Sequence, residues 1–233
     1  MWIPPHTHNK FSPGNSIMKS LRRIHDIRSR VHEEKLSEKK LPSSPLRQFD
    51  RWMKKAIASG IAEPTAMALA TADSKGNPSA RIVLLKSYDK SGFVFFTNYN
   101  SSKANELKAN NSASLVFYWS EISKQIRIGG KIKKVSAKES DEYFQSRPRE
   151  SQIGAIASAQ SSVAESRKII EESFAFIKKK FDGKKIPRPD NWGGYVLVPD
   201  YFEFWQGRMS RLHDRIVYKK NSSGKWKTFR LFP

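Results

Sequence analysis

The chain has 233 residues, and 43 Lys and Arg against 22 Asp and Glu give it a formal net charge of +21. That length supports one large domain or two small ones with a real core, and that charge points to a polyanionic partner or a phosphorylated ligand. The absence of cysteine excludes disulfides, thiolate nucleophiles and Cys-held zinc or iron–sulfur centres, and no run approaches the ~20 apolar residues of a membrane span, so a cytoplasmic location is the expectation.

Residues 1–20 lack the apolar stretch of a secretory signal. Pro4, Pro5, Pro13, His6, His8 and the Gly14-Asn15 pair read as a disordered leader, in which Met18 is an alternative start. A mitochondrial presequence is the rival reading, because 10–30 is basic with Asp26 as its one acid. Against it, 1–16 shows no helical stripe. The His6/His8 spacing carries no metal reading, and no metal site is expected. Residues 21–45 form a charged N-terminal segment, helical in part, and 46–233 read as a single domain.

Ser44 and Pro45 predict a helix start, and Leu46, Phe49, Met53, Ala56 and Ile57 recur at helical spacing up to Gly60. A β-rich block follows, with strands at 66–72, 81–88 and 93–97, turns at 73–78 and 89–92, and a short helix at 102–109. Further strands span 113–119 and 125–135, the second interrupted by Gly129-Gly130, which predicts a bulge or close approach. Ser136 with Glu139 predicts a helix to about Ser146. Ser162 with Glu165 predicts a longer one to about Phe181, carrying Val163, Ile170, Phe174, Ile177 and Phe181 on one face. After a linker at 187–190, strands are expected at 194–198, 201–206, 212–219 and 226–231. The fold class is α+β, mainly β: a barrel of short antiparallel strands with peripheral helices.

Four clusters concentrate polar chemistry. Arg81 to Lys86 is an apolar strand with a cation at each end; it suits phosphates at either sheet end, though by itself it reads better as a buried strand with snorkelling ends. Residues 97–103 run a strand into a helix with hydroxyls and Lys103, either an anion site or an ordinary capped helix. Residues 143–154, followed by Gln160 and Ser161, gather Arg147, Arg149, hydroxyls and amides just past a helix end, more neutral donors than a solvated basic loop needs. Residues 203–215 hold Trp205, Arg208, Arg211, His213 and Arg215, a density that favours a flat, electron-rich or anionic ring as partner.

In this order the pieces RIVLLK (81–86), FVFFTN (93–98), the SRP-R-SQIGA pattern of 146–155, Gln160-Ser161, NWGGY (191–195), EFWQGR (203–208), RLHDR (211–215) and the terminal RLFP (230–233) resemble the pyridoxine (pyridoxamine) 5'-phosphate oxidase family, over roughly 41–233. The resemblance implies an FMN-binding split β-barrel, a homodimer with FMN at the subunit interface, and a C-terminal dimerisation region at about 190–233. It implies oxidation of pyridoxine 5'-phosphate or pyridoxamine 5'-phosphate to pyridoxal 5'-phosphate, with dioxygen as acceptor and hydrogen peroxide as product. FMN would then meet Arg81, Ile82, Val83, Leu84, Leu85, Lys86, Phe96, Thr97, Ser102, Lys103, Gln125, Gln160, Ser161, Trp205 and Arg215. Substrate would meet Arg28, Lys86, Tyr143, Arg147, Ser151, Arg211, Leu212 and His213, with Arg211 and His213 catalytic and 21–45 acting as a lid. Two positions depart from the family pattern: Ser102 stands where an Arg is usual, and Val31 where an aromatic would follow Arg28.

Two other readings stand beside this one. A divergent split-barrel flavoprotein with another substrate would share the first half but not the 203–215 cluster. A nucleic-acid-binding protein would use the +21 charge through basics interleaved with exposed aromatics. Neither a membrane nor a specific nucleic acid is the expected partner.

Overall fold

The computed structural model describes residues 34–233. The leader, the alternative start at Met18, Arg28 and Val31 lie outside the described residues.

Pro45 fixes φ at the first turn of helix α1 (Pro45–Ala58), and Gly60 at φ +71 lies just beyond its end. Ser44 holds the N-cap position, but its hydroxyl makes no capping bond. The helical spacing places Phe49, Trp52, Met53 and Ala56 on one buried face. Phe49 meets Phe93 and Phe117 edge-on at 4.8 and 5.3 Å, and Trp52 meets Phe204 at 5.3 Å. These rings plug the main core, so Phe49→Ala would cost about 3–5 kcal/mol.

The core is wrapped by one nine-stranded sheet, all of whose pairings are antiparallel. Its strands are β1 (Ala66–Ala72), β2 (Pro78–Leu84), β3 (Ser87–Asp89), β4 (Gly92–Asn98), β5 (Ser112–Trp119), β6 (Lys124–Lys134), β7 (Trp192–Gln206), β8 (Asp214–Lys220) and β9 (Trp226–Leu231). They run in the order β2-β1-β5-β6-β7-β4-β3, with β8 pairing β7 and β9 closing the edge beside β8. The expected strands 194–198 and 201–206 are thus one strand of 15 residues. It bends where the β6 register slips between Gly129 and Gly130. A Cβ on Gly130 would lie 2.1 Å from the Val198 carbonyl oxygen, so only glycine allows this approach. Before the bend β7 pairs with β4, and after it with β8. The expected strand 81–88 is split instead: β2 stops at Leu84, Leu85 turns into the core, and β3 begins at Ser87.

Helix α2 (Ser102–Ala109) follows β4. Helix α3 (Ala137–Ser146) starts as the capping pattern predicts, with Ser136 Oγ accepting from the Glu139 N–H. Helix α4 (Arg149–Ala157) was not foreseen; the sequence there reads as a donor-rich loop. Helix α5 (Arg167–Lys180) begins four residues later than Ser162 predicts. Ser161 takes φ +74, and it is Ser166 whose Oγ accepts from the Ile169 N–H. Val163 is therefore outside the helix and 97% exposed. Phe144, Ile153, Ile186 and Trp192 form a second, smaller core that seats α3 and α4 beside β4 and the start of β7.

Candidate active site

β2, β4, α2, α3, α4 and the start of β7 meet around a cleft of about 720 Å³. From the first cluster it is lined by Arg81, Ile82, Val83, Leu84 and Lys86; from the second by Phe96, Thr97 and Lys103; from the third by Tyr143, Arg147, Ser151 and Gln160. Among the described residues, four cations line it and no carboxylate does.

Each cation is held differently. Arg81 bridges to Glu106 at 2.9 Å and also bonds the Thr71 and Ser79 hydroxyls. Lys103 is buried and donates to Gln160 Oε1 at 2.9 Å, Thr97 Oγ1 at 3.2 Å and Ser101 Oγ at 3.3 Å, all neutral acceptors. Burial and then the nearby Arg81 push the Lys103 ammonium below its usual range, against the weaker pull of Glu106. Arg147 lies 4.7 Å over the Trp192 ring, and its Nη1 is the one buried side-chain N or O among the described residues without a hydrogen-bond partner. Burial weighs against its charge as well. Buried cations without acids are costly until an anion arrives. Lys86 is exposed at the rim.

Between these cations stands an aromatic wall. Phe96 stacks on Tyr143 at 3.9 Å and on Trp192 at 5.5 Å. Gly194 makes room for it, since a Cβ there would come within 2.8 Å of the Phe96 ring. Trp192, within NWGGY, and Ser158 line the cleft without having been expected there; Asn98, from the 97–103 cluster, also lines it and its side-chain amide donates to the Ser158 carbonyl at 3.4 Å.

Three residues expected at the site are placed elsewhere nearby. Leu85 is 4% exposed and belongs to the main core. Ser102 is exposed at the first position of α2 and does not line the cleft. Ser161 lines a neighbouring shallow groove beside Gln160.

The remaining candidates gather in a second place. Gln125 on β6, Trp205 on β7 and Arg215 on β8 are cross-strand partners in one row. Arg215 is fixed by Glu203 at 2.8 Å, a 2%-exposed carboxylate that Arg127 and Tyr201 also meet. His213 packs 4.6 Å from Trp205, and its Nδ1 accepts from the Arg208 N–H at 3.1 Å, leaving Nε2 as the free ring nitrogen. Burial and the Arg211 charge hold the imidazole below its ordinary pKa, so Nε2 is an N–H donor at neutral pH. Arg211 and Leu212 are exposed in the loop between β7 and β8, where Ser210 and Arg211 take φ 57 and 59. Trp192 in the cleft and Trp205 in the row stand at opposite ends of β7, roughly 40 Å of strand apart. One chain therefore carries two separate clusters of these residues.

A curled antiparallel half-barrel with a cationic, aromatic-walled cleft on its flank defines a split-barrel protein suited to an anionic ligand with flat rings. Comparison with known proteins is specific. The family model for pyridoxamine 5'-phosphate oxidase matches residues 53–179, and that for the pyridoxine 5'-phosphate oxidase C-terminal dimerisation region matches 192–233. The pyridoxine/pyridoxamine 5'-phosphate oxidase of Trichormus variabilis is 48% identical over 212 residues, 91% of this chain and 99% of its own. That of Burkholderia lata is 50% identical over 210 residues, 89% of this chain and 98% of its own. The crystal structure of PhzG from Burkholderia lata 383, in complex with tetrahydrophenazine-1-carboxylic acid, superposes with a TM-score of 0.81 at 33% identity, covering 86% of this chain and 99% of that one. A pyridoxamine 5'-phosphate oxidase-related, FMN binding protein from Nostoc punctiforme shares the fold, with a TM-score of 0.65 at 15% identity, covering 83% of this chain and 100% of that one. The chain belongs to the pyridoxamine 5'-phosphate oxidase family and is an enzyme of it.

Proposed function

We propose that this chain is an FMN-dependent oxidase that converts pyridoxine 5'-phosphate or pyridoxamine 5'-phosphate to pyridoxal 5'-phosphate, as a homodimer with FMN at the subunit interface. The observation that carries the reading is the cleft lined by buried Lys103 and half-buried Arg147 together with the rings of Phe96, Tyr143 and Trp192, with no carboxylate among its lining residues. Two phosphorylated ligands need two such poles.

FMN, when bound, supplies a hydride acceptor for the C4′ carbon of the substrate and a route for the electrons to dioxygen. The alcohol consumes one dioxygen and yields the aldehyde and hydrogen peroxide; the amine consumes one water as well and releases ammonia. The chain's own groups do the rest. Arg81, Lys103, Thr97 and Gln160 fit the FMN phosphate, and the β2 residues 82–84 flank its body. Arg147, Lys86, Tyr143 and Ser151 fit the substrate phosphate: a fork, a rim charge and two hydroxyls. The guanidinium of Arg211 and the Nε2–H of His213 are donors for the pyridine ring, orienting C4′. Gln125, Trp205 and Arg215 complete the FMN site. Because the 203–215 residues stand at the far end of β7, the second copy supplies them, which is the role we give to the region matched at 192–233.

PhzG holds a different ligand on the same fold, so the assay must test substrate as well as chemistry. Purified protein loaded with FMN is given each B6 phosphate aerobically, and pyridoxal 5'-phosphate and peroxide are followed together. Equal molar formation of both products is expected. Peroxide without pyridoxal 5'-phosphate, or neither product, overturns the reading. Sedimentation is expected to give a dimer; an FMN-loaded monomer overturns the shared site.

A further inference from the structure

The loop 207–213 carries the two residues assigned above to the substrate ring, and its backbone is not at rest. Ser210 and Arg211 occupy the left-handed region at φ 57 and 59, where L side chains are strained. A conformation of that kind persists when neighbours impose it. Here the neighbours at both loop ends lead to the same distant segment, residues 34–38.

At the exit of β7, Gln206 is 1% exposed and donates from Nε2 to the Ser123 carbonyl at 3.1 Å and the Gly207 carbonyl at 3.4 Å. Its Oε1 accepts from Lys124 Nζ. Lys124 is also 1% exposed and lies 4.6 Å over the Trp52 ring. The carboxylate that meets this buried ammonium is Glu34, at 2.9 Å. At the entrance of β8, Asp214 Oδ2 accepts the Leu36 N–H at 3.1 Å, and Oδ1 accepts from Arg230 at 2.5 Å. Arg230 returns to the same segment, donating to the Leu36 carbonyl at 2.9 Å and to Glu38 at 2.7 and 2.9 Å. Arg208, inside the loop, has its guanidinium 3.7 Å from Asp214.

We propose that residues 34–38 form a strap that sets the conformation of the 207–213 loop from both ends, with Glu34 and Asp214 as positioning residues for Arg211 and His213. The proposal rests on the roles given to those two residues under Proposed function. The charges of the strap contribute little to global stability, since Glu34 and Glu38 are 47% and 44% exposed and exposed ion pairs are weak. Their effect is local. Without the Glu34 charge, the Lys124 ammonium has no counter-charge in a buried position, and the disturbance falls on Gln206 and the first loop residue. Without the Asp214 charge, the first residue of β8, next to the loop, loses its hold on Arg230 and Arg208.

The test uses the full-length, FMN-loaded enzyme with Glu34→Gln and Asp214→Asn, and Lys55→Met as control, because Lys55 bonds Glu34 from the far side at 2.5 Å. Hydrogen exchange of the peptide covering 207–214 is measured beside kcat and KM. Both variants are expected to exchange at least about tenfold faster in this peptide and to lose at least about fivefold in kcat, with KM for the phosphorylated substrate within twofold, since Arg147 is untouched. Lys55→Met is expected to match the parent. If Glu34→Gln folds poorly, Glu34→Gln/Lys124→Met removes the unmatched buried charge and is expected to fold with the kcat loss retained. Loop exchange and kcat within twofold of the parent overturn the proposal, as does faster exchange spread evenly over β4 and α4. A parent enzyme that oxidises neither B6 phosphate would instead contradict the proposed function, and the exchange comparison would still decide the strap.

Discussion

The guanidinium of Arg147 lies 4.7 Å over the ring of Trp192, while its Nη1 meets no acceptor among the described residues. The ring attracts the cation and fixes its plane. The unmet N–H costs about 1–3 kcal/mol until an acceptor arrives. A residue held in this way is prepared for an anion, and Tyr143 and Ser151, which line the same cleft, are the hydroxyls we propose for its phosphate.

Arg147→Ala is therefore expected to raise KM for pyridoxine 5'-phosphate at least about tenfold, since a hydrogen bond to a charged group is worth ~1.5–3 kcal/mol. Unphosphorylated pyridoxine, which lacks the group, should be turned over as before. Steady-state kinetics on both substrates decide it; an equal loss on both would make Arg147 a structural residue.

Arg211→Met separates chemistry from cofactor retention. Arg211 is exposed on the β7–β8 loop and shares no contact with the Lys103 pole. Turnover should fall by orders of magnitude while the protein remains yellow. Loss of bound flavin with full activity per remaining FMN would place Arg211 at the wrong ligand.

Ser102 offers a hydroxyl where the resemblance leads one to expect an arginine. It is exposed at the start of α2, one residue before buried Lys103. A charge-assisted contact is worth on the order of 1–3 kcal/mol, or roughly five- to a hundredfold in dissociation constant. Ser102→Arg should tighten FMN by a factor in that range and leave kcat of the saturated enzyme unchanged. Titration of apoprotein with FMN, parent beside variant, measures this; equal affinities would mean that Arg81 and Lys103 already suffice.

Acid should loosen the strap. Hydrogen bonds from Arg230 hold the Glu38 carboxyl down at about 2. Unfolded, its pKa is about 4.3. A folded pKa below the unfolded one means stability that is full above about pH 4.3 and is lost as pH falls toward about 2. Glu38 is nearly half exposed, so screening keeps the contribution below about 1 kcal/mol. The melting temperature of Glu38→Gln should lie up to about 4 °C below the parent at pH 7, and the gap should close as pH falls from 5 to 2. A gap that does not change with pH would show that the Arg230 pair adds no stability.

Much of this was legible in the residues, and the exceptions have physical causes. The α1 stripe, the Ser136 cap and the Gly129-Gly130 bulge are local signals, and local forces decide them. Helix α4 is hidden because Ser151 and Gly154 are poor helix formers; burial of Ile153 at 0% exposure against Phe144 overrides their propensity. The α5 start differs from the expected one because Ser162 has the capping-box partner Glu165 and Ser166 has none, yet Ser166 is the residue that caps. The backbone at Ser161, φ +74, settles the choice. The clusters at 81–86, 97–103 and 143–160 converge on one cleft, as their chemistry suggests. Trp192 escaped notice because its part comes from packing under Arg147, which no spacing encodes. The separation of 203–215 from that cleft is a property of β7, whose two halves look like two strands until the bulge joins them.

The central claim is that this cleft brings a B6 phosphate against bound FMN for hydride transfer. Anaerobic mixing of the FMN-loaded protein with pyridoxine 5'-phosphate tests it most directly, with the visible flavin absorbance as the signal. Stoichiometric bleaching is expected, with one pyridoxal 5'-phosphate per flavin and recovery of the colour when air is admitted. Flavin absorbance that stays unchanged with substrate at saturation would contradict it.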